Sequence, residues 1–182
     1  VIPPQTNVVI KGMYVHPDQC TIGSATSENN FLTWAKREGV NTLNVYGRSF
    51  LYSSTKRDQL AAFVAKAKNS YGMILVTIDC RLTNSGELPG WKAYLAKYAQ
   101  TVSVIEPLTE FEPWIAGSNG FDYPGFYNLV RTMGNLCKQY NIKMNFYEGW
   151  IGYSGSNFTP GQSAVDSMVK YCDRIFISNY VT

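Results

Sequence analysis

The chain has 182 residues, of which 45% are hydrophobic, 14% aromatic and 16% charged, and its formal net charge is +3. This composition excludes a disordered, collagen-like or coiled-coil chain. No apolar run approaches the roughly 18 residues of a membrane span, and the weak, scattered positive charge argues against nucleic acid as a partner. We therefore expect a single domain over residues 1–182 with its own hydrophobic core.

The cysteine and histidine content limits the metal chemistry. The four cysteines form no CxxC motif and the sequence holds one histidine, so a tetrahedral zinc site is not supported. The residues imply no metal or organic cofactor, and the carboxylates at the strand ends exclude none. An even cysteine number allows two disulfides or four reduced, buried thiols. We favour the pairs Cys137–Cys172 and Cys20–Cys80, whose members are expected at the same end of the sheet. The chain starts without Met, which is typical of a processed secreted protein, so we expect an extracellular or periplasmic location.

Six units that pair a short apolar strand with a helical segment follow one another along the chain. Strands are predicted to start near Val8, Asn41, Met73, Val102, Ile142 and Asp173. Helical periodicity covers 27–39, 55–72, 88–100, 124–141 and 159–172. The expected N-caps are Ser27, Thr55 and Thr159, and the expected helix ends are Gly39 and Gly72.

Strict alternation of strands and helices predicts a parallel α/β sheet. In the second strand, Leu43 and Val45 alternate with Thr42, Asn44 and Tyr46. A central strand of a doubly wound sheet is apolar on both faces, whereas a barrel strand can present a polar face to the lumen. The pattern therefore favours a (β/α)8 barrel, with a doubly wound parallel sheet as the alternative.

A complete barrel of this kind needs eight strands, and six are predicted here. We therefore expect an incomplete or truncated barrel that lacks strands 7 and 8. Its open edges would be covered by a protein partner or by a missing C-terminal segment.

In such barrels the functional site lies at the carboxyl ends of the strands. The predicted ends carry carboxylates, aromatic rings and amides, which suit a carbohydrate ligand because sugar faces stack on aromatic rings and sugar hydroxyls pair with polar side chains. The candidate catalytic carboxylates are Glu110, Glu148 and Asp79. The candidate substrate-binding residues are His16, Tyr46, Arg81, Glu112, Trp114, Trp150, Asn179 and Tyr180. The second strand also ends beside Arg48.

The dipeptide Thr109-Glu110 ends the fourth predicted strand. It resembles the Asn-Glu that closes the fourth strand in a large clan of barrel glycoside hydrolases, with Thr109 in place of Asn. The resemblance implies that Glu110 is the general acid/base. That clan places its nucleophile glutamate on the seventh strand, so the second carboxylate would be supplied by a missing strand, by Glu148 or by Asp79.

The function predicted from these residues is that of a glycoside-hydrolase-like, carbohydrate-active domain that cleaves glycosidic bonds with paired carboxylates. The alternative is a non-catalytic carbohydrate-binding or structural subunit of a larger extracellular assembly. A doubly wound small-ligand binder is a third hypothesis, which requires that Asn44, Asp79, Asn145 and Tyr180 do not share one lumen.

Two further expectations concern the interior of the barrel. We expect Glu106 to form a buried ion pair with Lys143 or Lys11. We also expect a bulge or an early strand end at Pro107, because proline donates no hydrogen bond to the ladder.

Overall fold

The computed structural model describes residues 9–79, 88–99, 105–110, 115–116, 120–121, 123–148, 166 and 169–177. The helices are α1 (Ala25–Arg37), α2 (Ser54–Asn69), α3 (Leu88–Tyr98) and α4 (Tyr123–Gln139). The strands are β1 (Gly12–Val15), β2 (Thr42–Tyr46), β3 (Leu75–Asp79), β4 (Ile105–Glu110), β5 (Ile115–Ala116), β6 (Gly120–Phe121), β7 (Asn145–Glu148) and β8 (Arg174–Ile177). Within these ranges, no helix has both the length and the apolar character needed to cross a bilayer.

Six strands form one parallel sheet in the order β1-β2-β3-β4-β7-β8, and β5 pairs with β6 in a separate antiparallel ladder that the sequence pattern does not predict. The order of the large sheet follows the chain. It has no point of reversal, which is the feature that defines a doubly wound sheet. The predicted parallel α/β architecture is confirmed.

One set of alternate strand positions forms the apolar face of the sheet. Five of its members in the first three strands are at most 1% exposed, namely Val15, Leu43, Val45, Val76 and Ile78, and Met13 is partly buried against them. They form one core cluster with residues of α1, α2 and α3. The α2 residues that the helical period predicts for this face are all fully buried: Leu60, Phe63, Val64 and Ala67. Because crossovers between parallel strands are right-handed, a sheet wound in chain order carries its helices on one face.

The other set of strand positions is mostly polar, although it includes Leu75 and Leu108. Tyr14 partners Asn44 in the ladder, and Asn44 partners Thr77. Thr77 is 2% exposed and Asn145 is fully buried. The alternation predicted from the sequence is therefore confirmed at these positions, and the two faces of the sheet differ in polarity.

Helix α1 begins earlier than expected. Its N-cap is Ser24, whose hydroxyl accepts from the Ser27 amide at 3.4 Å, because Gly23 at φ +100° turns the chain just before it. The prediction that Ser27 is the N-cap is wrong. The Ser27 hydroxyl instead accepts from the amide of Thr21 at 2.9 Å, so a side chain with capping chemistry stabilises the incoming loop.

The predicted N-cap of α2 is wrong, whereas the two glycines predicted to end helices are confirmed. The N-cap position of α2 is Ser53, so the predicted cap at Thr55 is wrong by two residues. Gly39 and Gly72 follow α1 and α2 with φ of +74° and +73°, as expected for glycines that end helices.

Strand β4 runs without interruption through Pro107, which partners Ile78 between the pairs Thr77–Glu106 and Asp79–Leu108. The expected bulge or early strand end at this proline is therefore wrong. The N–H and C=O of one strand residue point to the same neighbouring strand, so the proline removes one ladder hydrogen bond and the flanking residues still pair.

The expected buried ion pair in the interior is also wrong for both lysines. Lys143 and Lys11 are exposed, and the ammonium of Lys11 donates to the backbone oxygen of Glu38 at 2.6 Å. Both cations stay hydrated, which avoids the desolvation cost of a buried pair.

Cys20, Cys137 and Cys172 are free thiols, so the predicted pair Cys137–Cys172 is not a disulfide here, and Cys80 lies outside the described residues. Burial raises the pKa of Cys20 to about 11, with the Glu28 carboxylate adding to the effect. Burial likewise raises the pKa of Cys137 and of Cys172 to about 12, and the neighbouring Asp173 carboxylate contributes at both. A thiol in an apolar environment stays protonated.

The raised pKa values predict slow alkylation of Cys20, Cys137 and Cys172 by iodoacetamide in the native protein near pH 8, because the thiolate is the reactive species. Labelling should become at least about tenfold faster in urea. The native rate should rise only as the pH approaches the range of 11 to 12. Peptide mass spectrometry would measure labelling at each cysteine. If neither Cys137 nor Cys172 were labelled in urea without reductant, the two would be joined in a disulfide and would not be free thiols.

Glu28 joins three parts of the fold. Its side chain is buried; Oε1 accepts from the Gly23 amide at 2.8 Å, and Oε2 accepts from the ammonium of Lys66. Glu28 lies in the first turn of α1, Gly23 in the loop after β1, and Lys66 in the last turn of α2. This carboxylate therefore fixes the loop and the two helices relative to one another.

Replacement of Glu28 by Ala should lower the free energy of unfolding by roughly 3 kcal/mol, because it leaves the Lys66 ammonium and the Gly23 amide without their acceptor. The matched control is Glu38→Ala, which removes an exposed carboxylate that pairs with Arg37 and should cost less than about 1 kcal/mol. Urea unfolding would measure both, and equal losses in the two variants would contradict the special role of Glu28.

Candidate functional site

Four strands of the sheet end at predicted site residues. Strand β2 ends at Tyr46, β3 at Asp79, β4 at Glu110 and β7 at Glu148. All run in the same direction, so their carboxyl ends meet at one edge of the sheet. In parallel α/β sheets this edge carries the ligand and catalytic residues.

The strand register relates the three carboxylate positions to one another. Asp79 partners Leu108, so Glu110, two residues later in β4, belongs to the same alternate set of strand positions as Asp79. Neighbouring strands lie about 4.8 Å apart and two residues span about 6.6 Å, which places the two Cα atoms about 8 Å apart. Glu148 is one residue beyond Tyr147, the partner of Glu110, and therefore belongs to the opposite set. The register favours Asp79 over Glu148 as the companion of Glu110.

The structure brings His16 and Tyr46 together at the same edge. Their ring centroids are 5.6 Å apart with the planes tilted by 42°. His16 is held from two sides: Nδ1 lies 3.0 Å from Oδ2 of Asp18, and its backbone amide donates to Oε1 of Gln19 at 3.2 Å. These two predicted binding residues thus form one aromatic surface beside the end of β3.

A cleft of about 430 Å³ opens next to Tyr46. The described residues that line it come from the end of β2, from the 3-10 turn Arg48–Phe50 and from the segment that leads into α2: Tyr46, Arg48, Ser49, Tyr52, Ser53 and Lys56. Its volume is in the range of small-ligand pockets, about 300 to 1,000 Å³.

Packing beneath the cleft fixes its inner wall. Phe50 and Leu51 are buried, and the guanidinium of Arg57 donates to the backbone oxygen of Leu51 at 2.7 Å. Helix α3 packs so closely here that a Cβ built on Gly90 would lie 2.5 Å from the same oxygen. Glycine is therefore required at position 90, and the turn that carries Arg48 and Ser49 has little freedom to move.

The sequence pattern identifies Tyr46 and Arg48 as rim residues and misses the other four. Ser49, Tyr52, Ser53 and Lys56 lie beyond the strand, in a short turn and the first helical turn, where no periodicity marks a binding role. Six predicted binding residues lie outside the described residues: Arg81, Glu112, Trp114, Trp150, Asn179 and Tyr180.

The polar face below the edge is organised by Thr77. Its hydroxyl donates to Oδ1 of Asn44 at 3.0 Å, and the backbone oxygen of Leu43 lies 3.3 Å away. This contact joins β2 and β3 two residues before Tyr46 and Asp79, so it helps to position both strand ends.

Replacement of Thr77 by Val should lower the free energy of unfolding by about 1 to 3 kcal/mol, because the near-isosteric methyl leaves the Asn44 oxygen without this donor. Thr33→Val at an exposed position of α1 is the control and should change stability by less than about 0.5 kcal/mol. Thermal and urea unfolding would measure both variants. Wild-type stability in Thr77→Val would show that the contact is dispensable.

No family model matches the chain, and no curated protein matches it. Among solved structures, the chain is similar to the catalytic domain of beta-amylase from Paenibacillus polymyxa, at 14% identity and a TM-score of 0.45. The similarity covers 82% of this chain and 35% of that chain, so the chain spans about a third of the length of the matched domain.

Proposed function

We propose that this chain forms a (β/α)-barrel-type domain that binds carbohydrate at the carboxyl edge of its sheet and cleaves glycosidic bonds there, with Glu110 and Asp79 as the carboxylate pair. The observation that carries the proposal is the register of β3 and β4. It assigns the two acidic residues to the same alternate set of positions on neighbouring strands, at the ends of those strands.

Glycosidic cleavage requires two carboxyl groups with different roles. Retaining enzymes hold them about 5 to 5.5 Å apart, and inverting enzymes about 6.5 to 9.5 Å apart. The Cα atoms of Asp79 and Glu110, about 8 Å apart by strand spacing, are close enough for their carboxyl groups to flank one glycosidic bond, and for this pair we propose the inverting arrangement. In that arrangement Glu110, protonated, donates to the glycosidic oxygen, and Asp79, ionised, activates the attacking water.

The aromatic surface of His16 and Tyr46 supports a sugar ligand at this edge. Aromatic faces stack on the C–H face of a pyranose, and Tyr46 partners Asp79 in the ladder, so a sugar on this surface lies next to the proposed reaction centre. Arg81, Glu112, Trp114, Trp150, Asn179 and Tyr180 follow the same strand ends in the sequence, and we assign them to substrate contacts.

A second candidate function is carbohydrate binding without hydrolysis. The observation that favours it is the cleft beside Tyr46, in which the lining residues that the structure describes include no carboxylate. A ligand held only there would meet aromatic, hydroxyl and cationic groups of these residues, without a carboxylate pair among them.

The test is release of reducing sugar from a panel of plant, algal and bacterial polysaccharides by the wild-type chain and three variants of the same chemistry. Glu110→Gln and Asp79→Asn should each lower the rate at least about 100-fold, because each loses proton transfer. Glu148→Gln is the matched control and should retain most of the wild-type rate. Circular dichroism would confirm that each variant is folded.

The possible outcomes separate the hypotheses. Hydrolysis that is lost in Glu148→Gln and kept in Asp79→Asn would overturn the assignment of Asp79. Glycan binding without any hydrolysis would favour the second candidate function. The absence of both binding and hydrolysis across the panel would overturn the carbohydrate proposal.

A further inference from the structure

His16 and Tyr46 lie at the same level of the carboxyl edge. Val15 partners Val45 in the ladder, so His16 and Tyr46 each follow by one residue, and Tyr46 in turn partners Asp79. The planes of the two rings are tilted by 42°. Because of this tilt, a pyranose that stacks flat on Tyr46 would meet the imidazole with the hydroxyl groups at its rim. The ring nitrogens of His16 are therefore placed to take part in binding.

The loop that carries His16 is held at several points. The backbone oxygen of His16 accepts from the amides of Gln19 at 2.9 Å and Cys20 at 3.3 Å, and Cys20 is buried in the core. The next residue, Thr21, donates its amide to the hydroxyl of Ser27 in α1 at 2.9 Å. The backbone of His16 is thus fixed relative to the sheet and to α1. A ligand-binding group on such a support needs little rearrangement when its ligand binds.

The side chain of His16 is oriented by Asp18. Nδ1 of the imidazole lies 3.0 Å from Oδ2 of Asp18, which is a hydrogen-bond separation. A carboxylate accepts and does not donate, so the proton between these two atoms belongs to Nδ1. In a neutral imidazole the other nitrogen, Nε2, is then an acceptor. The side chain of His16 is 47% exposed, so a ligand can reach the ring.

We propose that Nε2 of His16 accepts a hydrogen bond from a hydroxyl of the sugar unit at the carboxyl edge, and that Asp18 is the positioning residue that holds the imidazole and its tautomer for this contact. A carboxylate bonded to one imidazole nitrogen makes the other a stronger acceptor. The inference deepens the proposed carbohydrate function and rests on it. Since Tyr46 partners Asp79, this hydroxyl belongs to a unit beside the proposed reaction centre. Sugars that lack a hydroxyl donor at that position would bind less tightly.

The tautomer can be measured directly, because the 182-residue chain contains one histidine. In the 15N-labelled chain, at a pH where the ring is neutral, a long-range 1H–15N correlation spectrum shows which ring nitrogen carries the proton. We expect the proton on Nδ1 in the wild type. Asp18→Ala should shift the population toward the Nε2–H form that histidine favours in water, whereas Asp18→Asn, whose amide oxygen still accepts, should keep the proton on Nδ1. Glu38→Ala is the matched control, since it removes an exposed carboxylate at the far end of α1 and should leave the tautomer unchanged.

The sugar contact is tested by titration of the same chain with cellotetraose, maltotetraose, xylotetraose and laminaritetraose as separate probes. We expect at least one of them to bind and to shift the Nε2 signal in the direction of an accepted hydrogen bond. His16→Phe keeps a ring for stacking but loses both nitrogens, so it should weaken binding of that probe roughly three- to tenfold, the scale of one hydrogen bond. Asp18→Ala should weaken binding within the same range, whereas Asp18→Asn and Glu38→Ala should stay within about twofold of the wild type. The amide spectrum of each variant would show that it is folded.

The outcomes that would overturn the inference differ from those that bear on the proposed function. A proton on Nε2 in the wild type, or the wild-type tautomer in Asp18→Ala, would overturn the role of Asp18 and leave the proposed function standing. Binding that does not shift the Nε2 signal, or that His16→Phe retains in full, would overturn the hydrogen bond to His16 while still supporting carbohydrate binding. If no probe binds, the inference is overturned, whereas hydrolysis of a polysaccharide by the same preparation would still support the proposed function.

Discussion

The alternation of apolar and polar residues along each strand is the constraint on which the rest of this structure depends. A slip of one residue in any strand would move its apolar set from the helix-covered face to the polar face, so burial of that set fixes the register. The register in turn determines which residues end neighbouring strands side by side. Burial of Leu43, Val45 and their neighbours therefore places Tyr46 beside Asp79. It also places Glu110 two residues beyond the strand partner of Asp79.

Polar contacts add directional constraints to the packing of the apolar face. The apolar face holds the helices against the sheet but leaves their angles and the connecting loops less defined. Glu28 adds direction, since a buried carboxylate that bonds both a loop amide and a lysine on a second helix tolerates little displacement. Thr77 acts similarly between β2 and β3. The candidate site thus lies on elements that are fixed by packing and by directional bonds.

Much of the fold could be predicted from local patterns, since strand alternation and the helical period of Leu60, Phe63, Val64 and Ala67 both reflect one buried face. Other features depend on tertiary contacts. Pro107 continues a strand because β3 still pairs with the residues on both sides of it, and Ser27 bonds a loop amide instead of capping its helix. Tyr46 was predictable as a strand end, whereas Tyr52 and Lys56 reach the cleft through the fold of a short turn.

The close contact between Gly90 and Leu51 has an evolutionary consequence. The turn beside the cleft has a backbone that a neighbouring helix touches directly, so a residue larger than glycine at position 90 would displace it. The outer wall, formed by the exposed Tyr52 and Lys56, has no such restriction. Among descendants of this domain, substitutions would therefore accumulate on the outer wall, while the glycine at position 90 would be retained.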